Sequence, residues 1–206
     1  MKRKRSYDST SRKVAAEETQ GRVLDVSRKL FARAGIDGVT ISQIAEQSEV
    51  SGSTIYTLFG SKAGILRALM ERAIFNVDYE RIASELKALT DPIEQLRLTA
   101  AIARSIYEGE SKEMALLRGA SAFSPELKKL EGEFEDRRYE LQKERLARLF
   151  ERGQQRPDLS LQKARDLMWM LTSRDVYRML VIESKWPAAE YEKWLAEALL
   201  KALTER

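Results

Sequence analysis

Small polar side chains recur within one short stretch of the chain, at positions where short helices are predicted to begin. Thr40, Ser51 and Ser61 each precede a predicted helix, so their hydroxyl groups can cap its first turn. The first turn of a helix carries free backbone amides and the positive end of the helix dipole, which suit phosphate oxygens. Lys62 follows one of these caps, and Tyr56 lies on a predicted outward face. The spacing indicates a surface that can hold phosphate groups.

The composition excludes several other chemistries. The chain has no Cys and no His, which removes thiolate nucleophiles, Cys-ligated zinc and the commonest general base. Carboxylates are plentiful, but no pair is placed beside a nucleophile. We therefore predict that the protein is not an enzyme and uses no metal or cofactor. No apolar run approaches the ~18–20 residues of a membrane span, so we predict a cytoplasmic protein with no membrane partner.

The elements that position the caps are predicted to be helices. Apolar residues recur at helical spacing, Gly and Pro are few, and no segment alternates as a strand would. We predict an all-α fold of about nine helices, three short and then about six longer. The first helix is predicted to run from about Thr19 to Ala34. Thr40, with Gln43 in capping-box position, opens the second helix, and Ser51 opens the third.

Residues 40–59 therefore predict a helix-turn-helix, whose second helix lies in the DNA major groove while the first braces it. Such a motif needs an apolar inner face and small polar groups outside, and this stretch has both. The same pattern fits a compact helical subdomain that never contacts DNA. Two other functions stay open: an architectural or activating DNA-binding protein without an effector, and a helical ligand-binding protein whose helix-turn-helix is idle.

The net positive charge of the chain lies at its N-terminus. Residues 1–13 carry six basic side chains against one acidic, and the remainder of the chain is slightly negative. We predict a disordered basic arm over residues 1–13, either a solubilising tail or a segment that neutralises DNA phosphates. The basic residues that we expect to contact DNA are Lys2, Arg3, Lys4 and Arg5.

Start and stop signals also divide the later part of the chain into helices. Asp91-Pro92 and Ser124-Pro125 combine a capping side chain with proline at the first helical position. A shorter helix is predicted over about 112–123. Ser160 opens a helix that we predict to continue through Leu180, and Pro187 precedes the last helix.

One part of the chain carries an ordered signature. Its residues are Val23-Leu24, Leu30-Phe31-Ala32, Gly35, Gly38-Val39-Thr40-Ile41, Ile44-Ala45, Val50-Ser51-Gly52-Ser53-Thr54-Ile55-Tyr56, Phe59, Ser61-Lys62 and Leu66. With this signature, residues 19–70 closely resemble the N-terminal domain of the tetracycline-repressor (TetR) family of bacterial transcription regulators. The resemblance implies a helix-turn-helix domain over 14–62 and a helical effector-binding and dimerisation domain over 63–206. It implies a repressor that binds a palindromic DNA operator as a homodimer and is released by a small-molecule effector.

The resemblance also implies which residues contact DNA. Those that would hold the DNA backbone are Thr40, Thr54, Tyr56 and Lys62, and those nearest the base edges would be Ser42, Gly52 and Ser53. The best bidentate base readers, Arg, Asn and Gln, are missing from the outer face of the recognition helix, so Gln43 on the bracing helix is a candidate reader, and Ser51 completes the predicted set. Glu49 departs from the family pattern, which usually has Gly there; a left-handed backbone at Glu49 would be strained.

For the C-terminal domain the resemblance implies an effector pocket and a dimer interface. Candidate pocket residues are Phe75, Tyr107, Phe123, Phe134, Arg138, Trp169 and Tyr177, with ordinary core as the alternative. Candidate interface residues are Leu171, Tyr191, Trp194, Leu195, Ala198, Leu199 and Ala202, with packing inside a single chain as the alternative.

Two arginines lie on an otherwise apolar stripe of the long helix that follows Pro125. Arg138 and Arg145 fall on this stripe at helical steps, and a buried arginine needs a partner. One interpretation pairs them with Glu131, Asp136 or a neighbouring helix. A sharper hypothesis is that Arg138 holds an anionic or carbonyl-bearing effector.

Overall fold

The computed structural model describes residues 9–109, 118–119, 122 and 124–205. Regular structure in these residues is helical, apart from an isolated bridge between Gln155 and Thr204. This confirms the predicted all-α fold. No helix within the described ranges is long and apolar enough to cross a membrane. The predicted helix over 112–123 lies mostly outside the described residues, as does Phe123.

Ten α-helices follow one another in the described residues, and the bounds are α1 Ser9–Ala34, α2 Ile41–Ser48, α3 Gly52–Phe59, α4 Lys62–Ile74, α5 Val77–Ala88, α6 Pro92–Glu108, α7 Pro125–Glu151, α8 Leu161–Leu171, α9 Arg174–Tyr177 and α10 Ala188–Leu203. Most of the predicted caps are confirmed. Asp91 caps α6 through Ile93 N at 3.0 Å with Pro92 at the first position, and Ser160 caps α8. Gly35 ends α1 in the left-handed conformation expected of a helix stop.

The start of α1 differs from the sequence prediction. The helix begins at Ser9 rather than near Thr19, so residues 9–13 are helical and do not belong to a disordered arm. Residues 13–18 are exposed, so this part of α1 lacks the buried apolar stripe used to predict helices. Good helix formers, including Ala15, hold it instead, with a Lys13–Glu17 ion pair at 4.0 Å one turn apart. The four arm residues expected to contact DNA lie outside the described residues.

The predicted helix from Ser160 to Leu180 is also interrupted. Helix α8 ends at Leu171, Ser173 caps α9 through Val176 N, and a π-helical segment Arg178–Glu183 follows. The interruption has a visible cause. Hydroxyl side chains such as Ser173 compete for backbone groups and favour helix starts over helix interiors.

The described residues divide into two compact units. The N-terminal unit contains residues 9–70 with the described residues of 118–128, and the C-terminal unit contains 71–109 and 129–205. The first boundary thus lies at Met70 rather than at residue 62, because Ile65, Leu66 and Leu69 of α4 are buried with the N-terminal core.

Each unit has its own apolar core. Fully buried residues of the N-terminal unit include Val23, Phe31, Ile44, Ile55 and Ile65. The larger core of the C-terminal unit contains Leu96, Ala100, Leu146, Leu149, Met168, Tyr191, Leu195 and Leu199. Arg104 of α6 joins α10 at the edge of this core, donating to Glu108 at 2.8 Å and to Glu192 at 3.1 Å.

Candidate nucleic-acid interface

The start of α2 is held by a reciprocal cap between Thr40 and Gln43. Thr40 Oγ1 accepts from Gln43 N at 3.2 Å, while Gln43 Oε1 accepts from Thr40 N at 2.8 Å and from Thr40 Oγ1 at 3.1 Å. The predicted capping box is therefore confirmed. Ile44 and Ala45 are buried, whereas Thr40, Ser42 and Gln43 are exposed, so the helix presents its polar start to solvent.

The turn after α2 passes through Glu49 in a left-handed conformation, with φ 54° and ψ 43°. Its backbone amide closes α2 by donating to Glu46 O at 3.3 Å. A side chain in this region carries a steric cost that glycine avoids. The side chain at Glu49 therefore strains the turn.

The start of α3 carries a cluster of three hydroxyl groups. Ser51 Oγ accepts from Thr54 N at 3.1 Å and lies 2.7 Å from Ser53 Oγ and 2.8 Å from Thr54 Oγ1. Ser51 is thus the cap of α3, as predicted. Because Ser53 is exposed and Thr54 half-buried, their hydroxyl groups form a compact polar surface at the positive end of the helix.

The outer face of α3 is formed by Ser53, Tyr56 and Thr57, all exposed. Tyr56 is 57% exposed, so its phenol is available to a partner. Thr57 was not among the predicted contact residues, although its position four residues after Ser53 places it on the same face. Its hydroxyl donates to Ser53 O at 2.9 Å. Ile55 is fully buried on the opposite face and anchors the helix.

Gly52 opens α3 next to this hydroxyl cluster. A Cβ atom added there would meet no heavy atom within 4 Å. The protein's own packing therefore does not require glycine at this position. The absence of a side chain leaves the backbone open to close approach by a partner.

Two basic side chains form long-range hydrogen bonds to the two ends of α2. Lys62 Nζ donates to Val39 O at 3.0 Å, immediately before the Thr40 cap. An ammonium group has three hydrogens, so Lys62 can also donate to a phosphate. Arg22 Nε of α1 donates to Ser48 O at 2.9 Å, at the end of α2. Sequence reasoning missed Arg22, because a contact between residues 26 apart has no local signal.

The residues from Thr40 to Lys62 that were predicted to contact DNA thus lie on α2 and α3, at their caps and at the start of α4, and the Lys62–Val39 hydrogen bond links the starts of α4 and α2. Ser61 Oγ caps α4 by accepting from Gly64 N at 3.0 Å, which makes three capped helix starts with Thr40 and Ser51. In the described residues, no group of three or more acidic side chains could hold a metal ion. The arrangement offers hydroxyl and amide donors, one ammonium group and a phenol.

The family model for bacterial regulatory proteins of the tetR family matches residues 23–69. That match contains all three capped helix starts and the left-handed turn between α2 and α3. Residues 23–69 belong to the TetR family. The resemblance inferred from the signature is thereby confirmed.

Two curated relatives of this chain are transcriptional regulators. HTH-type transcriptional regulator HbdR of Aromatoleum sp. (strain CIB) is 34% identical over 80 residues, which is 39% of this chain and 34% of HbdR. HTH-type transcriptional regulator TtgR of Pseudomonas putida is 29% identical over 85 residues, 41% of this chain and 40% of TtgR. The chain thus spans less than half the length of these relatives.

Solved structures resemble this chain over most of its length. NalD of Pseudomonas aeruginosa, a repressor of a multidrug efflux pump, matches with a TM-score of 0.70 at 18% identity, covering 92% of this chain and 98% of NalD. FadR of Bacillus subtilis in complex with stearoyl-CoA matches with a TM-score of 0.66 at 20% identity, covering 86% and 96%. At these identities the likeness shows the fold alone.

Four candidate pocket residues of the C-terminal unit meet around Thr172. Tyr107 Oη donates to Thr172 O at 2.9 Å and its ring lies 5.3 Å from that of Tyr177. Arg138 donates to Thr172 Oγ1 at 2.7 Å and lies over the Trp169 ring. Burial raises the pKa of Tyr177.

The remaining candidate pocket residues do not join this group by any described contact. The ring of Phe75 packs against Tyr79 at 5.1 Å and under the guanidinium of Arg137 at 5.3 Å, and Phe134 is half-buried on α7. The contact of Arg138 with a neighbouring helix is present, since its guanidinium donates to Trp169 O and Thr172 Oγ1, but its ion pair is with neither Glu131 nor Asp136. Its guanidinium pairs instead with Glu135 at 2.5 Å, one turn earlier on α7.

Three of the predicted dimer-interface residues lie in the core of a single chain. Tyr191, Leu195 and Leu199 have no exposed surface within the protomer, which contradicts their assignment to an interface. An apolar face at helical spacing indicates burial but does not identify what covers it. The other four predicted positions, Leu171, Trp194, Ala198 and Ala202, are half-buried.

Proposed function

We propose that this TetR-family chain is a transcriptional repressor that binds a palindromic DNA operator as a homodimer and is released by a small-molecule effector. The observation that carries the proposal is the set of three capped helix starts within residues 40–62, with exposed hydroxyl groups and Lys62 beside them. Free amides at helix starts bind phosphate oxygens, and the second helix of such a motif enters the major groove. Catalysis plays no part in this function, which acts on DNA in the cytoplasm.

Each predicted contact has a role in this proposal. Thr40, Thr54, Tyr56 and Lys62 bind backbone phosphates through hydroxyl, phenol and ammonium groups. Ser42, Gly52 and Ser53 lie at the base edges, with Gln43 beside them and Ser51 holding the start of α3. Because these side chains are small, much of the sequence selectivity comes from close backbone approach and from DNA shape.

A matched pair of charge substitutions tests the DNA-binding surface. Gly52→Glu and Gly132→Glu each add one carboxylate at a position with no heavy atom within 4 Å. A glutamate in the first turn of α3 favours the helix dipole but repels phosphates. On DNA selected from random sequence, Gly52→Glu should weaken affinity by about 100-fold, since like charges in an interface cost several kcal/mol. Gly132→Glu on α7 should stay within about twofold of wild type by the same scale. Equal effects of the two variants would refute the proposed surface.

The basic residues at the N-terminus neutralise DNA phosphates in this proposal. Described residues 14–62 carry slightly more acidic than basic side chains, so the motif alone has no excess positive charge. Replacing Lys2, Arg3, Lys4 and Arg5 by glutamine changes none of the residues Ser9–Ala34 of α1. The salt dependence of operator binding should flatten by about 0.9 in slope for each phosphate that the arm no longer neutralises. An unchanged slope would show that the arm does not touch DNA.

Dimerisation is proposed to use the exposed apolar side chains that follow α8 and α9. Met179 and Ile182 are 44% and 54% exposed, an unusual state for large apolar residues close together in sequence. Ile182→Glu should convert the dimer to a monomer in analytical ultracentrifugation. Val77→Glu is the matched control, because Val77 is 84% exposed at the start of α5. A monomeric wild-type protein, or a dimer that survives Ile182→Glu, would contradict this interface.

Effector binding is proposed for the C-terminal unit. Two observations support it: the cluster of Tyr107, Arg138, Trp169 and Tyr177 around Thr172, and the stearoyl-CoA bound to the structurally similar FadR. Screening small molecules for release of the selected operator tests the proposal. A protein that binds its operator and is released by no compound would be an effector-independent regulator.

A further inference from the structure

Arg145 of α7 is a partly buried cation without a charged partner. Its guanidinium donates to Thr99 Oγ1 of α6 at 3.1 Å, and it forms no ion pair with any described residue. Burial lowers the pKa of Arg145, and this effect outweighs the opposing influence of Tyr79 and the exposed Glu144. A guanidinium group has five N–H donors, so one hydroxyl partner leaves most of its hydrogen-bonding capacity unused.

Arg138, two turns earlier on the same helix, is the opposite case. Its guanidinium pairs with Glu135 at 2.5 Å and donates to Trp169 O at 3.0 Å and Thr172 Oγ1 at 2.7 Å. The protein thus satisfies the cation of Arg138 with its own groups. The charge of Arg145 is left without a counter-charge, which is costly in a site withdrawn from water.

Thr99 cannot supply the missing negative charge. Its hydroxyl donates to Gln95 O at 2.8 Å, so its oxygen accepts from Arg145 as a neutral group. The contact therefore orients the guanidinium without neutralising it.

Two buried glutamines beside these residues present free oxygen atoms. Gln95 Nε2 donates to Leu89 O at 2.7 Å and Gln142 Nε2 donates to Thr172 Oγ1 at 2.8 Å, which fixes both amide orientations. Neither Oε1 atom has a hydrogen-bond partner in the described part of the chain, although both residues are almost fully buried. Buried acceptors without donors are uncommon, and each needs an explanation.

The polar groups lie one turn apart on two helices that meet. Gln95 and Thr99 are on α6, Gln142 and Arg145 are on α7, and the Arg145–Thr99 hydrogen bond joins them. Apolar residues of α5 and α6 pack in the same unit: Ile82, Leu86 and Ile102 are buried, with Tyr79 and Leu98 against them. Tyr79, which packs against this apolar cluster, is also an electrostatic neighbour of Arg145. One cation, two acceptor oxygens and an adjoining apolar cluster fit a molecule with an anionic head and an apolar body.

We propose that Arg145 binds the carboxylate of an amphipathic organic acid where α6 meets α7. A single cation matches the single charge of a carboxylate, whereas a phosphate dianion normally requires more donors. The oxygens of Gln95 and Gln142 accept from a hydroxyl or amide group of the same ligand. That this acid is the effector of the repressor rests on the proposed function.

Calorimetric titration of the full chain tests the binding site. The probes are octanoate and 4-phenylbutyrate, their uncharged amides, and inorganic phosphate. At least one of the two acids should bind at least tenfold more tightly than its amide, and phosphate should bind more weakly than that acid. Arg145→Met should abolish the preference for acid over amide, while Arg104→Met, which removes an arginine that already pairs with Glu108 and Glu192, should retain it. Equal binding of acid and amide, loss of the preference only in Arg104→Met, or no binding by either acid would overturn the proposal.

The stability of the ligand-free protein provides a second readout that a structural arginine would not share. Replacing a cation that lacks a counter-charge by methionine removes its desolvation cost, so Arg145→Met should raise the melting temperature. Arg138→Met breaks an ion pair and two further hydrogen bonds and should lower it. A lower melting temperature for Arg145→Met would assign Arg145 a structural role and overturn the proposal.

Operator binding is measured separately, so the two proposals can fail independently. If the acid binds through Arg145 but leaves the protein–operator complex intact, the carboxylate site stands and the effector role is wrong. If the wild-type protein binds no selected DNA, the proposed function fails whatever the outcome of the titration. If the acid releases DNA equally from wild type and from Arg145→Met, release does not depend on Arg145 and the effector role assigned to this site is wrong.

Discussion

Short-range hydrogen bonds position the exposed hydroxyl groups of the helix-turn-helix, whereas long-range hydrogen bonds position the polar groups inside the C-terminal unit. The caps of the helix-turn-helix join residues two or three apart, as in Thr40–Gln43 and Ser51–Thr54. In the C-terminal unit Gln142 reaches Thr172 across 30 residues and Arg145 reaches Thr99 across 46. The hydroxyl groups of the DNA-facing surface are therefore positioned within each short helix, and the Arg22–Ser48 and Lys62–Val39 hydrogen bonds connect these helices to distant residues. The interior of the C-terminal unit depends on how distant helices pack.

The largest loss of folding stability is expected from a substitution in the buried core of the C-terminal unit. Leu195 of α10 is fully buried within a single chain, so Leu195→Ala should destabilise the C-terminal unit by about 2–5 kcal/mol. Chemical denaturation followed by tryptophan fluorescence measures this loss, because all the tryptophans lie beyond residue 168. The exposed Glu197→Ala on the same helix is the control. If the loss disappeared on dilution to monomer, Leu195 would belong to an interface after all.

A smaller effect is expected from a local cap. Thr40→Val removes the hydroxyl that accepts from Gln43 N and should destabilise the start of α2 by about 1 kcal/mol. Hydrogen exchange of the α2 amides reports this loss within the N-terminal unit. Thr57→Val is the matched control, because the Thr57 hydroxyl caps no helix and donates to the Ser53 carbonyl within α3. Equal protection in both variants would mean that packing, not the cap, fixes the helix start.

Two left-handed residues allow the same substitution in each unit. Glu49 has φ 54° and Lys185 has φ 61°, so glycine at either position should relieve backbone strain. We expect a gain of about 0.5–1 kcal/mol, reduced by the greater freedom of glycine in the unfolded chain. Thermal unfolding of Glu49→Gly and Lys185→Gly measures both gains. A loss of stability in Glu49→Gly would show that the glutamate side chain makes a compensating interaction in the turn.

The smallest effect at neutral pH is expected at Tyr191, whose buried hydroxyl has no hydrogen-bond partner among the described residues. Tyr191→Phe should change stability by less than about 0.5 kcal/mol at pH 7, because no hydrogen bond is removed. Burial raises the pKa of Tyr191, so the folded protein keeps a proton that the unfolded chain loses above about pH 10. Stability is therefore fully present below that pH and falls as the pH rises beyond it. Denaturation at pH 7 and pH 11 should show a shallower fall for Tyr191→Phe, and an identical fall would contradict the assignment.

The same contrast explains what could be predicted from sequence. Caps at Thr40, Ser51, Asp91 and Ser160 were predictable because a side chain and the amide it accepts from are separated by two or three residues. The match of Arg138 to Glu135 was also available, since residues three apart on a helix are neighbours.

The rest depended on information that periodicity does not contain. The first turns of α1 are polar and exposed, so no apolar stripe marked them. The apolar face of α10 was recognised, but its spacing could not distinguish its own core from a partner chain. The meeting of Arg145 with Thr99 follows from the packing of α6 on α7, which no local pattern encodes.

The capping box at Thr40 restricts what Gln43 can distinguish in DNA. Both acceptor positions of its side-chain oxygen are occupied by Thr40, so only the Nε2 hydrogens remain for a base. The bidentate pairing of glutamine with adenine, which needs that oxygen, is therefore closed to Gln43. The Nε2 group can only donate, so it can pair with the acceptor atoms of guanine and thymine and with adenine N7. Cytosine presents a donor in the major groove, which cannot pair with it. At the base nearest Gln43, selected operators should therefore contain guanine, thymine or adenine and should lack cytosine.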